Sequence, residues 1–228
     1  MTTDFDRYSD SYRDAVQRSI GFIGQGLDYF TEVKVRHLVE LARRRLGDPG
    51  AVTALDVGCG VGITDGLLAE HFHELHAVDV SPAVIEVARE ANPSVQYRLY
   101  DGTTLPYEED SFELVFAICV LHHVPPPSWF HFGEELARVV KSGGLVSIVE
   151  HNPINPLTRV VVARCEFDED AVLLSRRRTK DLLKGSGLTP VDESFILFSP
   201  WRLPFASWLE KNLHAVPLGA QYLVAARK

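Results

Sequence analysis

The stretch Leu55-Asp56-Val57-Gly58-Cys59-Gly60-Val61-Gly62 joins an apolar run to an amphipathic one. The run that leads into it, residues 52–57, has the length and composition of a buried strand. The residues that follow, 63–72, carry apolar side chains at helical spacing. Glycines between a strand and a helix permit a tight turn and let a ligand approach the backbone, while the helix N-terminus offers free N–H groups. The stretch therefore predicts a ligand-binding loop at the end of a buried strand.

The alternation of strand and helix continues on the C-terminal side of this loop. Further strands are predicted at 75–80, 95–100, 114–120 and 145–150, and helices at 82–91 and 129–141, the second of which we expect to end at Ser142-Gly143-Gly144. After an irregular segment, a helix is predicted at 178–184 and strands at 191–198 and 221–227. Because the strands of the alternating region are apolar on both faces, they predict a parallel sheet covered by helices on two sides.

The chain of 228 residues is long enough for one domain with an appended segment. Residues 1–50 precede the alternation and are predicted to be mostly helical. We therefore expect a helical cap or lid over 1–50 and one binding domain over 51–228, with an insertion at the substrate site over about 152–175.

Composition excludes several classes of protein and partner. The 23 Lys and Arg against 31 Asp and Glu give a net charge of −8, which argues against a nucleic-acid partner. No run reaches the roughly 18 apolar residues of a membrane span, and no signal pattern opens the chain, so we expect no stable membrane insertion. The three cysteines, Cys59, Cys119 and Cys165, form no metal-binding spacing, and we expect no metal, no disulfide framework and a cytoplasmic location.

Acidic residues stand at the ends of the first three predicted strands. Asp56 precedes the glycines, where a carboxylate would repel a pyrophosphate and suit a ligand with a cationic group. Asp79 ends the second strand, where a carboxylate can accept two hydrogen bonds from a ribose, and Asp101 follows the third, within reach of an adenine amino group. Each of these residues alone is often a helix cap or a turn former. Three of them at neighbouring strand ends favour a nucleoside ligand.

Together these residues resemble the S-adenosylmethionine (SAM) site of class I methyltransferases. The resemblance covers about residues 51–151 and extends to further stretches: Leu105-Pro106-Tyr107, Asp110-Ser111-Phe112-Glu113-Leu114-Val115, Leu121-His122-His123-Val124 and Arg138-Val139-Val140-Lys141-Ser142-Gly143-Gly144. It implies an α/β fold with a Rossmann-like, seven-stranded, mostly parallel sheet, helices on both faces and an antiparallel last strand.

The resemblance also implies which residues meet SAM. Gly58 and Gly60 would pass under its methionine part, and Asp79 would hold the ribose. Asp101 would meet the adenine, and Ile118 and Cys119 would lie beside the sulfonium. The other cofactor-binding candidates adjoin these positions or belong to the cap: Asp56, Cys59, Val80, Gly102, Thr103, Tyr8 and Tyr12. The two tyrosines would close over the methyl donor, or else simply pack against the core.

Two histidines are candidates for a general base. His151 follows the fifth strand and His123 follows the fourth, and histidine titrates near neutral pH. Alternatively, His151 orients the insertion through hydrogen bonds, and the pair His122–His123 belongs to the family pattern whatever the acceptor. An acceptor carbon that is already nucleophilic would need no strong base.

The sequence thus predicts an enzyme that transfers a methyl group from SAM to a small molecule, such as a specialised metabolite or a quinone-like, sugar or lipid-linked acceptor. The alternatives are a SAM-binding protein without methyl transfer and an NAD-dependent oxidoreductase. The latter fits less well, because the third glycine of the Gly-x-Gly-x-x-Gly fingerprint falls on Ile63 and Asp56 opposes a pyrophosphate.

Overall fold

The computed structural model describes residues 26–165, 168–199, 201 and 206–228. Within them the strands are β1 Thr53–Val57, β2 Glu74–Asp79, β3 Gln96–Leu99, β4 Phe112–Ile118, β5 Val140–His151, β6 Thr189–Ile196 and β7 Gln221–Arg227. The α-helices are α1 Leu27–Arg45, α2 Ile63–Leu68, α3 Pro82–Ala91, α4 Trp129–Val139, α5 Pro156–Val162, α6 Arg176–Gly185 and α7 Ala206–Asn212.

All seven strands form one sheet in the order β3-β2-β1-β4-β5-β7-β6. Strands β1 to β5 run parallel, and β7 lies antiparallel between β5 and β6. The predicted seven-stranded, mostly parallel sheet is confirmed. After β1 the chain adds β2 and β3 on one side of β1, and it then crosses over to add β4 on the other side. The strand order therefore reverses between β1 and β4. Ligands of open α/β sheets bind in the crevice at such a switch point, outside the carboxyl ends of the strands.

Helices cover both faces of the sheet, as the apolar strands predicted. In β4, Leu114 and Phe116 face the core shared with α1, α2 and α3, whereas Val115 and Ala117 face the core shared with α4 and α6. All four of these side chains are fully buried. The period-two alternation therefore feeds two apolar cores, which fixes the register of the central strands.

Helix α3 begins as its sequence predicts, whereas α2 is shorter than predicted. Ser81 caps α3 by accepting a hydrogen bond from the N–H of Val84, and proline stands at its first position. Helix α2 was predicted to reach residue 72 but ends at Leu68. The chain turns there because the N–H of His73 bonds to the carbonyl of Val52, which brings the chain alongside β1.

The glycine pair after α4 does not end that helix, which corrects the sequence prediction. Helix α4 ends at Val139, and residues 142–144 lie inside β5. The pairing register of β4 and β5 shifts between Phe112 and Leu114. A Cβ on Gly144 would lie 2.8 Å from the carbonyl oxygen of Glu113, so only glycine admits this close strand approach.

The insertion is more ordered than the sequence indicated, since it contains α5. Asn155 caps this helix by accepting hydrogen bonds from the N–H groups of Leu157 and Thr158. Of the expected cap, α1 is described, and its buried face packs on the sheet. Tyr8 and Tyr12 lie outside the described residues, and the division at residue 50 stays a prediction. No helix in the described ranges has the length and apolarity that crossing a bilayer requires.

Candidate functional site

A cavity of about 590 Å³ opens at the carboxyl ends of the central strands. Most predicted site residues line it: Asp56, Gly58, Cys59, Gly60, Asp79, Val80, Gly102, Thr103, Ile118, Cys119, His123 and His151. Asp101 stands beside the cavity rather than on its wall. The structure thus brings the glycine loop, two of the three strand-end acids and both candidate bases to one site.

The glycine loop adopts backbone conformations that favour glycine. Gly58, Gly60 and Gly62 all have positive φ, at 87°, 54° and 75°. The N–H groups of Gly58 and Cys59 both donate to the carbonyl of Val78, at 2.8 and 3.1 Å. These two bonds fasten the loop to β2, and the left-handed backbone turns it under the cavity.

The carboxylate of Asp79 organises the loop as well as facing the cavity. Its Oδ2 accepts a hydrogen bond from the N–H of Gly60 at 2.9 Å, and its Oδ1 accepts one from Ser81 at 3.0 Å. A carboxylate has about four lone-pair sites, so one carboxylate can serve backbone donors and a ligand hydroxyl together. Asp79 can therefore hold a ligand hydroxyl while it keeps the loop in place.

Asp101 has the local turn contacts that its sequence position allowed. Its Oδ1 accepts hydrogen bonds from the N–H groups of Thr103 and Thr104, both at 2.8 Å. These bonds, first that of Thr104, lower the pKa of Asp101 to about 2. The residue is therefore an exposed, ionised turn former, and its predicted contact with adenine stays a prediction.

A buried polar network that the sequence did not indicate lies beneath the loop. Tyr97 donates to Oδ2 of Asp65 at 2.9 Å, and the amide of Asn92 donates to the carbonyl of Gly62 at 2.9 Å. Burial raises the pKa of Asp65 to about 6, and burial followed by the charge of Asp65 raises that of Asp56 well above its usual value. Both buried carboxyl groups therefore hold a proton more tightly than an exposed carboxyl group does. Of the two, Asp56 lies on the cavity wall.

Five titratable side chains converge at the other end of the cavity. His122 is buried, with its Nδ1 2.6 Å from Oε2 of Glu150 and its Nε2 3.3 Å from Oδ1 of Asp168. Nε2 of His123 lies 3.4 Å from the same Asp168 oxygen. The ring of His151 lies 5.1 Å from that of His122, centroid to centroid. The fourth and fifth strand ends and the insertion thus combine into one His-carboxylate cluster.

The charges of this cluster differ from one histidine to the next. Burial alone would lower the pKa of His122, but the charge of Glu150 and the hydrogen bonds to both carboxylates hold it well above 6.5. Burial, followed by the charge of His122, lowers the pKa of His123 and of His151 to about 4. His123 and His151 are therefore neutral at pH 7, and each has a nitrogen lone pair.

Residues outside the sequence prediction complete the walls. Gln221 pairs with His151 across β5 and β7 and donates to the sulfur of Cys119 at 3.1 Å. Lys34 lines the cavity from α1. Burial raises the pKa of Cys119 to about 11 and that of Cys59 well above its usual value, so both thiols stay protonated and are poor nucleophiles.

Comparison with known proteins finds a methyltransferase domain in this chain. A family model described as a methyltransferase domain matches residues 55–148, which contain the glycine loop and all three strand-end acids. The chain is 28% identical over 169 residues to the ubiquinone biosynthesis O-methyltransferase of Xanthomonas axonopodis pv. citri (strain 306), covering 68% of this chain and 70% of the relative. Residues 55–148 are thus a methyltransferase domain, and the enzyme is a SAM-dependent methyltransferase. SAM is its cofactor, and the NAD-dependent alternative is set aside.

Two further comparisons place this methyltransferase among its relatives. It is 31% identical over 108 residues to the 2-methyl-6-phytyl-1,4-hydroquinone methyltransferase of Synechocystis sp. (strain ATCC 27184 / PCC 6803 / Kazusa), which covers 46% of this chain and 33% of the relative. Its fold matches the putative methyltransferase solved in complex with the Haloferax volcanii Trm112 methyltransferase activator, with a TM-score of 0.70 and 18% identity, over 100% of this chain and 98% of that one. The second likeness shows the fold alone.

The residues of the cavity fit SAM as a ligand. Asp56 lines the cavity as a buried carboxyl group, which suits a ligand that carries a cationic group. A Cβ on Gly58 would lie 2.5 Å from Val120, so the loop already packs as closely as glycine allows. Asp79 lines the same cavity at the end of β2.

Replacing Asp79 with alanine should weaken binding of S-adenosylhomocysteine about 10- to 150-fold. The change removes hydrogen bonds to a charged group, worth roughly 1.5–3 kcal/mol, both toward the ligand and toward Gly60. Isothermal titration calorimetry measures the loss, with Glu90→Ala, an exposed change on α3 outside the cavity wall, as the matched control. Unchanged affinity in a folded Asp79→Ala protein would remove the ribose assignment.

Proposed function

We propose that this enzyme transfers the methyl group of SAM to a hydroxyl group on a small aromatic, hydroquinone-like acceptor. The observation that carries this proposal is the division of the cavity wall. Next to the fourth and fifth strand ends it presents the polar groups of His123, His151, Asp168 and Gln221. An aromatic ring that bears a hydroxyl group suits such a pocket, because few polar groups can orient it among apolar walls.

Beside Thr31, Lys34 and Thr158, apolar side chains form much of the remaining wall on the acceptor side. They come from α1, α5 and the segment after β6, and comprise Leu27, Phe30, Leu157, Val161, Leu197 and Phe198. The names of the two relatives, one an O-methyltransferase of ubiquinone biosynthesis and the other a hydroquinone methyltransferase, support a ring of this kind. Helix α1 belongs to the expected cap, so in this proposal the cap forms part of the acceptor site.

SAM supplies a methyl group on a sulfonium, which the lone pair of the acceptor oxygen takes while the C–S electron pair stays on sulfur. On the enzyme side, Asp79 holds the ribose, Asp101 meets the adenine and the backbone at Gly58 and Gly60 supports the methionine part. The hydroxyl proton passes to the neutral ring of His151. A positioned base of this kind contributes about 10²- to 10⁴-fold to the rate.

Binding of S-adenosylhomocysteine should release protons, with an affinity that rises with pH. In this proposal the ligand ammonium lies near Asp56 and favours its ionised form, so the raised pKa of the Asp56–Asp65 pair falls on binding. Protons bound by the free enzyme are then lost, which makes binding tighter above pH 6 than below it. Calorimetry at pH 6 in two buffers of different ionisation enthalpy measures the release.

Asp56→Asn is the matched variant for this experiment, because it keeps the shape of the side chain and removes its titration. We expect it to abolish most of the proton release. Equal binding heats for the wild type in both buffers would contradict the placement of a cation beside Asp56.

The proposed reaction is tested with methyl-labelled SAM and a series of ring acceptors, namely a catechol, a hydroquinone and their singly O-methylated forms. Mass spectrometry should find the labelled methyl group on oxygen. The fully O-methylated forms of the same acceptors serve as controls and should not react. His151→Gln should lower kcat at least about 100-fold while affinity for S-adenosylhomocysteine stays within about twofold. Label on ring carbon would replace O-methylation by C-methylation, and binding without turnover of any acceptor would favour a non-catalytic SAM-binding protein.

The cysteines support a cytoplasmic location for the enzyme. Cys59, Cys119 and Cys165 are all free thiols, as is usual in a reducing compartment.

A further inference from the structure

The His-carboxylate cluster has the composition of a metal site, although the cysteine spacing predicted no metal. His122, His123 and Asp168 each offer one ligand atom, and these three atoms lie within 4.8 Å of one another. From their arrangement we propose that they bind a divalent transition-metal ion at the acceptor end of the SAM cavity. The inference rests on the proposed function only for the role of the ion, since binding can be measured without an acceptor.

The two distances to Asp168 agree with such a site. Zinc lies about 2.0–2.2 Å from histidine nitrogen and carboxylate oxygen, so neighbouring ligand atoms of a tetrahedral site stand about 3.3–3.5 Å apart. Oδ1 of Asp168 lies 3.3 Å from Nε2 of His122 and 3.4 Å from Nε2 of His123. Three protein ligands with a remaining position toward a cavity are the arrangement of catalytic rather than structural metal sites.

The residue behind the site also fits. A histidine that binds a metal usually donates its second ring N–H to a carboxylate, which fixes the tautomer and the ring orientation. Nδ1 of His122 lies 2.6 Å from the buried Glu150, whose other oxygen accepts the backbone N–H of His122 at 3.3 Å. Glu150 therefore leaves Nε2 of His122 as the atom that faces Asp168.

The cluster contains two carboxylates that are shielded from solvent. The side chains of Glu150 and Asp168 are 1% and 8% exposed. Their two negative charges would balance one divalent ion, and the protons of the ligand nitrogens would leave to solvent when the ion binds.

The ion would bind the acceptor oxygen. His123, His151 and Asp168 all line the cavity, so the open coordination position faces the space assigned to the acceptor. A hydroxyl group bound to a divalent ion loses its proton more readily, and the ion would hold its oxygen beside His151. The two imidazoles and one carboxylate select a transition metal such as zinc or iron over magnesium, which prefers an all-oxygen shell.

The test uses the full chain, freed of any purification tag and stripped with a chelator. Zn²⁺ is titrated by calorimetry, Mg²⁺ serves as the ion that should not bind, and Co²⁺ is used for its visible spectrum. We expect one Zn²⁺ per chain and a Co²⁺ spectrum of low coordination number. Asp168→Asn and His123→Gln should each weaken Zn²⁺ binding by more than about 100-fold, beyond the 10- to 100-fold typical of outer-shell changes.

His131→Gln is the matched control, because His131 is an exposed residue of α4 that lies 4.0 Å from Glu134. It should bind Zn²⁺ as the wild type does. Absence of one-to-one binding in the wild type, or wild-type binding by folded Asp168→Asn or His123→Gln, would overturn the metal site. S-adenosylhomocysteine is titrated into each protein in parallel, so failure of the SAM site is seen separately from failure of the metal site.

Discussion

Replacing Gly58 with alanine should destabilise the fold by about 2–5 kcal/mol and weaken binding of S-adenosylhomocysteine about 10- to 100-fold. The φ of 87° costs an alanine roughly 1–2 kcal/mol. The added Cβ would also lie 2.5 and 2.8 Å from the two methyl groups of Val120, and overpacking of this kind costs about 1–3 kcal/mol. The loop moves to relieve this contact. The same loop carries the N–H of Gly60, which donates a hydrogen bond to Asp79.

Gly143→Ala separates the two causes. Gly143 has a similar φ of 82°, but a Cβ there would meet no atom within 4 Å. We expect it to cost about 1–2 kcal/mol in urea unfolding and to leave ligand affinity unchanged. The double variant Gly58→Ala, Val120→Ala should recover part of the lost affinity. Equal effects of Gly58→Ala and Gly143→Ala on both stability and binding would show that the contact with Val120 has no role.

Replacing Glu150 with alanine should destabilise the protein by about 3–5 kcal/mol. The carboxylate is 1% exposed and accepts hydrogen bonds from the Nδ1 and the backbone N–H of His122 and from the backbone N–H of His151. Removal of one partner of a buried ion pair leaves the other charge uncompensated, which is the costly case. Denaturant unfolding at pH 7 measures the change.

Glu134→Ala is the control for this loss. Glu134 lies on the exposed face of α4. A substitution at such a surface position changes the free energy of unfolding by less than about 0.5 kcal/mol. Glu150→Gln should cost less than Glu150→Ala, because its amide oxygen can still accept one of the donated hydrogen bonds. A loss for Glu150→Ala as small as that for Glu134→Ala would mean that the His122 ion pair contributes little to the fold.

The sequence predicted the features that local chemistry determines. Strand β4 shows its burial in a continuous apolar run, and Ser81-Pro82 marks the start of α3 because capping acts within one turn. The glycine loop and Asp79 were predicted for the same reason, since parallel strands bring their carboxyl ends to one edge. The fold and the nucleoside end of the site follow from such short-range signals.

The His-carboxylate cluster and its neighbours depend on contacts that no short pattern encodes. Asp168 meets His122 across 46 residues, and Gln221 reaches His151 across 70, through an antiparallel pairing of β5 with β7. The buried Asp65 appears in sequence as an ordinary polar residue near a helix start. The glycines at 143 and 144 were predicted to cap α4, because their role at a strand irregularity depends on the β4–β5 register.

The central claim is that the cavity beside the glycine loop binds SAM and its product S-adenosylhomocysteine. Calorimetric titration of S-adenosylhomocysteine and NAD⁺ into the wild type, Gly58→Ala and Gly143→Ala measures it most directly. We predict one S-adenosylhomocysteine per chain for the wild type and Gly143→Ala, weaker binding by Gly58→Ala, and no binding of NAD⁺. Preferential binding of NAD⁺, or equal affinity of folded Gly58→Ala and wild type for S-adenosylhomocysteine, would contradict the claim.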